Sequence, residues 1–161
     1  MTDSIERDEF FMREALAQAA LAQARGEVPV GAVIVEDRGA IVARAHNLRE
    51  LLDDPTAHAE LLALRALSMD RKSWRLDDVT VYVTLEPCPM CAGALVNARV
   101  KRVVWGCDDP KAGAVRSLYS IGDDPRLNHR FACTSDILVE ECSQILQRFF
   151  KALRDRKRRA P

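Results

Sequence analysis

Hydrophobic patterning predicts an α/β fold: a mixed sheet of about five strands with helices on both faces. Three observations carry this. Apolar and β-branched runs at 30–35, 79–85 and 102–107 read as strands. Apolar stripes at helical spacing over 8–25, 58–67 and 137–156 read as helices. Between 79 and 107 the order is strand, helix, strand, which implies a right-handed crossover and a parallel pair.

The first helix carries Phe11, Ala15, Ala19 and Ala22 on one face, with Met12 and Leu16 beside them. Gly26 ends it, and 27–29 form a turn. The strand at 30–35 is joined by an Asp-Arg-Gly turn to a second at 40–45, so the two form an antiparallel hairpin. His46 and Asn47 fall at the end of that hairpin, and 48–57 is a loop. The helix over 58–67 has Thr56 as its expected cap and places His58 and Glu60 in its first turn. Residues 69–78 form a polar connection with Trp74 expected against the core. Pro87 ends the strand at 79–85, and a helix begins inside the cysteine motif that follows. Beyond the strand at 102–107 come a polar loop at 108–113, a short helical turn at 117–121 and a second loop at 123–130. A short edge strand at 131–135 and the long helix at 137–156 complete the chain.

With 161 residues, no repeat and no linker-like stretch, the expectation is one domain spanning 1–161, with a basic tail over 154–161. Balanced composition, 48% hydrophobic and 30% charged, excludes a disordered chain. No secretory signal and no membrane-length apolar run is read, and the five cysteines are odd in number, which fits a reducing cytoplasm better than a disulfide scaffold. Net charge is zero, so no global nucleic-acid signature exists, but seven cations against one acid crowd 148–159. That run reads either as a phosphate-attracting edge or as a solvated helix end whose cations suit the dipole.

The chemistry gathers in two short motifs. Cys88 and Cys91, three apart at a helix start, can point the same way, and His58 offers an imidazole from another element. Three such ligands suit a zinc ion with an open fourth position for water, whose pKa the metal lowers towards neutrality. Glu60, two residues from His58, is better placed as a proton carrier than as a fourth ligand. The same residues also admit a structural zinc site, a redox CxxC pair or two inert cysteines, and the paired His-Ala-Glu and Pro-Cys-x-x-Cys motifs favour the catalytic reading.

TAHAE at 56–60 and EPCPMCAGA at 86–94 resemble the zinc-dependent nucleoside and nucleobase deaminases, whose signature is already known. The chain is similar above all to the bacterial tRNA-specific adenosine deaminases, through GEVPVGAV at 26–33, DPTAHAE at 54–60, VTLEPCPMCAGAL at 83–95 and NHR at 128–130. The resemblance implies a cytidine deaminase-like three-layer α/β/α sandwich, a homodimer in the cytoplasm, and one zinc ion per subunit held by His58, Cys88 and Cys91. It implies hydrolytic conversion of adenosine to inosine at the wobble position of a tRNA anticodon stem-loop, with release of ammonia. Glu60 would carry protons and Asn47 would contact the flipped nucleoside. The Pro87 carbonyl or another backbone group would hold the leaving amine.

Further contacts follow from the same resemblance. Asp109 and Lys111 match an Asp-x-Lys that meets the tRNA backbone, with a solvated turn as the plain alternative. Asn128 and His129 match the family's NHR, read equally as loop anchors or RNA contacts. Phe149 and Phe150 match an aromatic pair near the anticodon loop, or simply extend the apolar stripe of the last helix. The chain departs from the pattern at 48–52, where Leu48, Leu51 and Leu52 replace a more polar segment, and at 120–125. A guanine deaminase, which shares a PTAHAE-like motif and PCPMC, is the rival enzyme, and a zinc-stabilised RNA-binding module without catalysis is the rival outside enzymology.

Overall fold

A computed structural model describes residues 2–160, with nothing stated of the Thr2 side chain. In chain order the elements are α1 (Thr2–Ala24), β1 (Gly31–Glu36), β2 (Ile41–His46), α2 (Ala59–Arg71), β3 (Val79–Leu85), α3 (Pro89–Asn97), β4 (Arg102–Cys107), β5 (Ala132–Thr134) and α4 (Val139–Arg159). The five strands form one sheet in the order β2-β1-β3-β4-β5. β1 runs antiparallel to β2 and to β3, whereas β3, β4 and β5 are parallel. The α3 crossover between β3 and β4 is the one the strand–helix–strand pattern requires.

Alternation along the strands builds two cores. Ala32, Ile34, Val81, Val83, Val103 and Trp105 face α2 and α3, meeting Ala63, Leu67, Ala92 and Leu95. Val33, Val35, Tyr82 and Val104 face the other way, against Phe11, Met12 and Ala15 of α1 and Cys142 of α4. The result is a three-layer α/β/α sandwich with a mixed sheet. Alanines on α1 allow close approach: a Cβ on Gly31 would lie 2.0 Å from the Ala15 carbonyl oxygen. A buried network ties the layers, with the Asp8 carboxylate accepting two bonds from Arg102 at 2.9 and 2.6 Å and one from the Tyr82 hydroxyl at 2.8 Å.

Several local expectations are corrected. Helix α1 begins at Thr2 rather than 8, and α4 runs to Arg159 rather than 156. His58 is the N-cap of α2 rather than part of its first turn, and Thr56 caps nothing there: its amide and hydroxyl both donate to Asp54. Trp74 is 63% exposed, because Leu76 takes the buried place in that connection and its amide bonds the Ala98 carbonyl. The indole instead carries the Arg99 guanidinium 5.9 Å above its ring. No helix forms at 117–121, because the amides of Val115, Arg116 and Ser117 converge on the Glu86 carboxylate instead of pairing along a helix.

Candidate metal centre and active site

Both motif-bearing helices begin at one place, at the carboxyl ends of β2 and β3. His58 is the N-cap of α2 and Cys88 the N-cap of α3, each in extended backbone. Pro89 follows at the first helical position, where its missing N–H costs nothing. The cap brings the Cys88 carbonyl to the Ala92 amide at 2.8 Å, which turns Cys91 onto the same side as Cys88. Two helix amino ends therefore point at the cysteines, and their positive dipole ends favour thiolates.

His58 Nδ1 lies 3.6 Å from Cys88 Sγ and 3.5 Å from Cys91 Sγ, and the three ligand atoms lie within 4.8 Å of one another. Nitrogen at about 2.0 Å and sulfur at about 2.3 Å from a tetrahedral zinc ion would stand about 3.5 Å apart. The donor set and its spacing therefore fit zinc. The hydrogen bond from Cys91 is the main influence holding the Cys88 thiol down to about 4, against burial, while Cys91 as donor is pushed up.

Glu60 sits in the first turn of α2, 3% exposed. Burial pushes its carboxyl up to about 7, against the opposing pull of its own turn and of His58. A carboxyl poised near neutrality is suited to taking and giving a proton. The centre opens into a cavity of about 820 Å³ walled by Val28, Val30, Leu85 and Leu146. That volume lies in the range of small-ligand sites, roughly 300–1,000 Å³.

The cavity gathers some of the expected contacts and not others. Asn47 lines it, with its amide nitrogen donating to the Val28 carbonyl at 3.2 Å and its oxygen accepting from the Arg49 amide at 3.1 Å. One amide hydrogen and one lone pair remain to a ligand. Asp109 and Lys111 line it too, and Asp109 also caps its own turn by accepting the amides of Lys111 and Ala112. Phe150 lines the wall, with Phe149 packed edge-on against it at 5.4 Å between ring centres. Asn128 and His129 lie elsewhere: Asn128 is exposed, and His129 Nε2 bonds the Val100 carbonyl at 2.8 Å, at the start of β4 and the far end of the sheet from Cys107. The Pro87 carbonyl already accepts the Ala114 amide at 2.8 Å, so only its second lone pair faces other groups.

Sequence reading passed over four contributors. Arg49 and Arg154 line the cavity beside Lys111, which puts three cations on its walls. Arg49 stands in the divergent 48–52 loop, and Arg154 was visible only as part of a basic run. Glu27, 1% exposed, accepts the amides of Glu50 at 3.2 Å and Leu51 at 2.6 Å and so fixes that loop. Glu86, 2% exposed, fixes the opposite loop. A carboxylate beside a run of apolar residues was the available signal for both.

Comparison with known proteins agrees with this geometry. Residues 5–107 match the family model described as the cytidine and deoxycytidylate deaminase zinc-binding region. A tRNA-specific adenosine deaminase of Bacillus subtilis is 47% identical over 154 residues, covering 96% of this chain and 95% of its own. One from Haemophilus influenzae is 48% identical over 153 residues, covering 95% and 88%. A solved structure described in a study of A-to-I editing by tRNA:A34 deaminases superposes with a TM-score of 0.81 at 42% identity, covering 85% of this chain and 99% of its own. This chain belongs to the zinc-binding cytidine and deoxycytidylate deaminase family, in the branch that holds the tRNA-specific adenosine deaminases.

Proposed function

We propose that this protein hydrolyses the adenosine at wobble position 34 of a tRNA anticodon to inosine, releasing ammonia. The observation that carries the reading is a buried carboxyl, Glu60, beside the His58, Cys88 and Cys91 cluster in a cavity large enough for a nucleoside. Zinc held by those three residues supplies a Lewis acid that makes water nucleophilic at neutral pH.

The remaining work falls to the chain. Hydrolysis adds an oxygen at C6 of the purine, places a proton on N1 and sends the amino group away as ammonia. Glu60 takes one proton from the attacking water and delivers it to N1, then takes the second from the hydroxyl now on C6 and gives it to the amine, which leaves as ammonia while C6 becomes a carbonyl. Asn47 holds the nucleoside by its remaining donor and acceptor. Apolar side chains Val28, Val30 and Leu85 keep bulk water from the ring. An adenosine in an anticodon loop is already unpaired, so taking it from its stack costs little.

The cavity lining carries Arg49, Lys111 and Arg154 alongside the carboxyls of Glu60, Glu86, Asp108 and Asp109. In this reading the three cations meet the phosphates of a polynucleotide, which a free base such as guanine does not bring. Asp109, Phe149 and Phe150 belong to the same RNA-facing rim in this reading. Asn128 and His129 belong to it only if RNA or a second copy reaches the far end of the sheet. A homodimer in the cytoplasm is part of the proposal. Large apolar side chains such as Met69 and Trp74 are exposed on the single chain, and among the described residues no helix is long and apolar enough to cross a membrane. Sedimentation tests the dimer, and a monomer at working concentration removes it.

The deciding assay gives the zinc-loaded protein an anticodon stem-loop with adenosine at the wobble position, with guanine and cytidine as separate substrates. Inosine in the RNA is expected. Guanine turnover with none on the RNA would transfer the assignment to the rival deaminase.

A further inference from the structure

We propose that Glu86 is a positioning residue: its carboxylate, fixed at the end of β3 next to the metal ligands, sets the path of residues 109–117 and thereby the places of Asp109 and Lys111 on the cavity wall. The RNA-facing part of this inference rests on the function proposed above, whereas the loop-holding part stands on geometry alone.

Glu86 is anchored to the sheet through its backbone. Its amide donates to the Cys107 carbonyl at 2.9 Å, which continues the β3–β4 pairing by one residue. Its side chain then reaches across to a segment that has no helix or strand of its own. Oε1 accepts the amides of Val115 at 3.3 Å, Arg116 at 2.7 Å and Ser117 at 2.8 Å. Oε2 accepts the Asp109 amide at 3.0 Å and the Ser117 hydroxyl. All five donors are neutral, so the loop is wrapped round the anion by its own backbone dipoles.

Two further features show that the loop follows the carboxylate. Gly113 passes so close that a Cβ there would collide with Glu86 Oε2 and with the Asp109 carbonyl oxygen, so any other residue would force the carboxylate or the loop to shift. Ala114 donates to the Pro87 carbonyl at 2.8 Å, which fastens the loop to the residue between Glu86 and Cys88. Outside, Arg116 closes the segment against Asp108 at 2.6 Å and Asp136 at 3.2 Å, and stacks 5.7 Å above the Trp105 ring. That outer latch is exposed to solvent screening, so the buried carboxylate is the stronger constraint.

A direct catalytic role is a poorer fit. A carboxylate offers about four lone-pair sites, and five donors already converge on Glu86. No site is left for a substrate proton. Its influence therefore passes through the loop, whose Asp109 and Lys111 line the cavity.

The test uses the full-length, zinc-loaded protein and Glu86→Gln. Glutamine keeps the shape and one oxygen for the three Oε1 amides, but turns an NH2 group towards the Asp109 amide, donor against donor. Zinc stoichiometry is expected to hold. Hydrogen exchange at the amides of 109 and 115–117 should rise about tenfold, the scale of losing a hydrogen bond to a charged group. On the wobble-adenosine stem-loop, KM should rise about tenfold with a smaller change in kcat. In a background already carrying Asp109→Ala and Lys111→Ala, Glu86→Gln should add less than about twofold.

Unchanged loop exchange overturns the proposal whatever the substrate proves to be. So does an equal loss of activity in both backgrounds, which would mark a general loss of stability. If the wild-type protein ignores RNA, the exchange measurement alone decides the loop-holding role. If Glu86→Gln does not fold, Ser117→Ala removes only one donor, and faster exchange at 115–117 is then the supporting result and unchanged exchange the overturning one.

Discussion

Glu60 and Glu86 border the same cavity and both expose little surface, at 3% and 2%, though Glu60 sits deeper among protein atoms. Burial pushes Glu60 up to about 7. It acts in the same direction on Glu86, yet the Ser117 hydroxyl and the amides of Ser117, Asp109 and Arg116 outweigh it and hold that carboxyl below its ordinary value. Donor count separates them in that direction, and the stronger desolvation of Glu60 adds to it. A buried carboxyl with few donors can exchange a proton, and one saturated with donors becomes a fixed anion round which a loop is built. Asp8 shows a third solution, in which Arg102 supplies the compensating charge and the carboxylate joins α1 to the sheet.

The contrast predicts a graded series of losses. Chelating the metal should abolish turnover, and added zinc should restore it, with release of zinc from His58, Cys88 and Cys91 followed by a thiol titration. Activity that survives complete zinc removal would break the account of the centre. Glu60→Gln should lower kcat by about 10²–10⁴, the usual worth of general acid–base catalysis, while zinc content stays at the wild-type value. Glu86→Gln comes next, at about tenfold and mainly in KM. Neutralising Arg156, Lys157, Arg158 and Arg159 should weaken RNA binding and flatten its salt dependence by about 0.7 in slope for each phosphate no longer neutralised, read from binding titrations at several salt concentrations. Asp8→Ala should change kcat least. It should cost about 2–3 kcal/mol of stability in denaturant titration, since it leaves Arg102 without its buried partner.

Much of the centre was legible in the chain because its signals are local. His58 and Glu60 are two residues apart, Cys88 and Cys91 three, and each pair lies at a helix start that punctuation and periodicity reveal. The same holds for the sheet, whose five strands were each expected within a residue or two of where they lie. What was illegible depends on distant pairing. The amides that bind Glu86 come from residues 23 to 31 positions away, and their convergence replaces the helical turn expected at 117–121. Trp74, expected against the core, is exposed, and Leu76 takes the buried place in that connection. Asn128 and His129 share a motif with the resemblance, yet a motif carries no information on which end of β4 its loop will reach.

The most direct measurement of the central claim is inosine formation in an anticodon stem-loop bearing adenosine at the wobble position, run side by side with wild-type protein and with Glu60→Gln at equal zinc content. The account predicts inosine with the first and a rate lower by about 10²–10⁴ with the second. Equal rates, or no inosine from the zinc-loaded wild type, would contradict it.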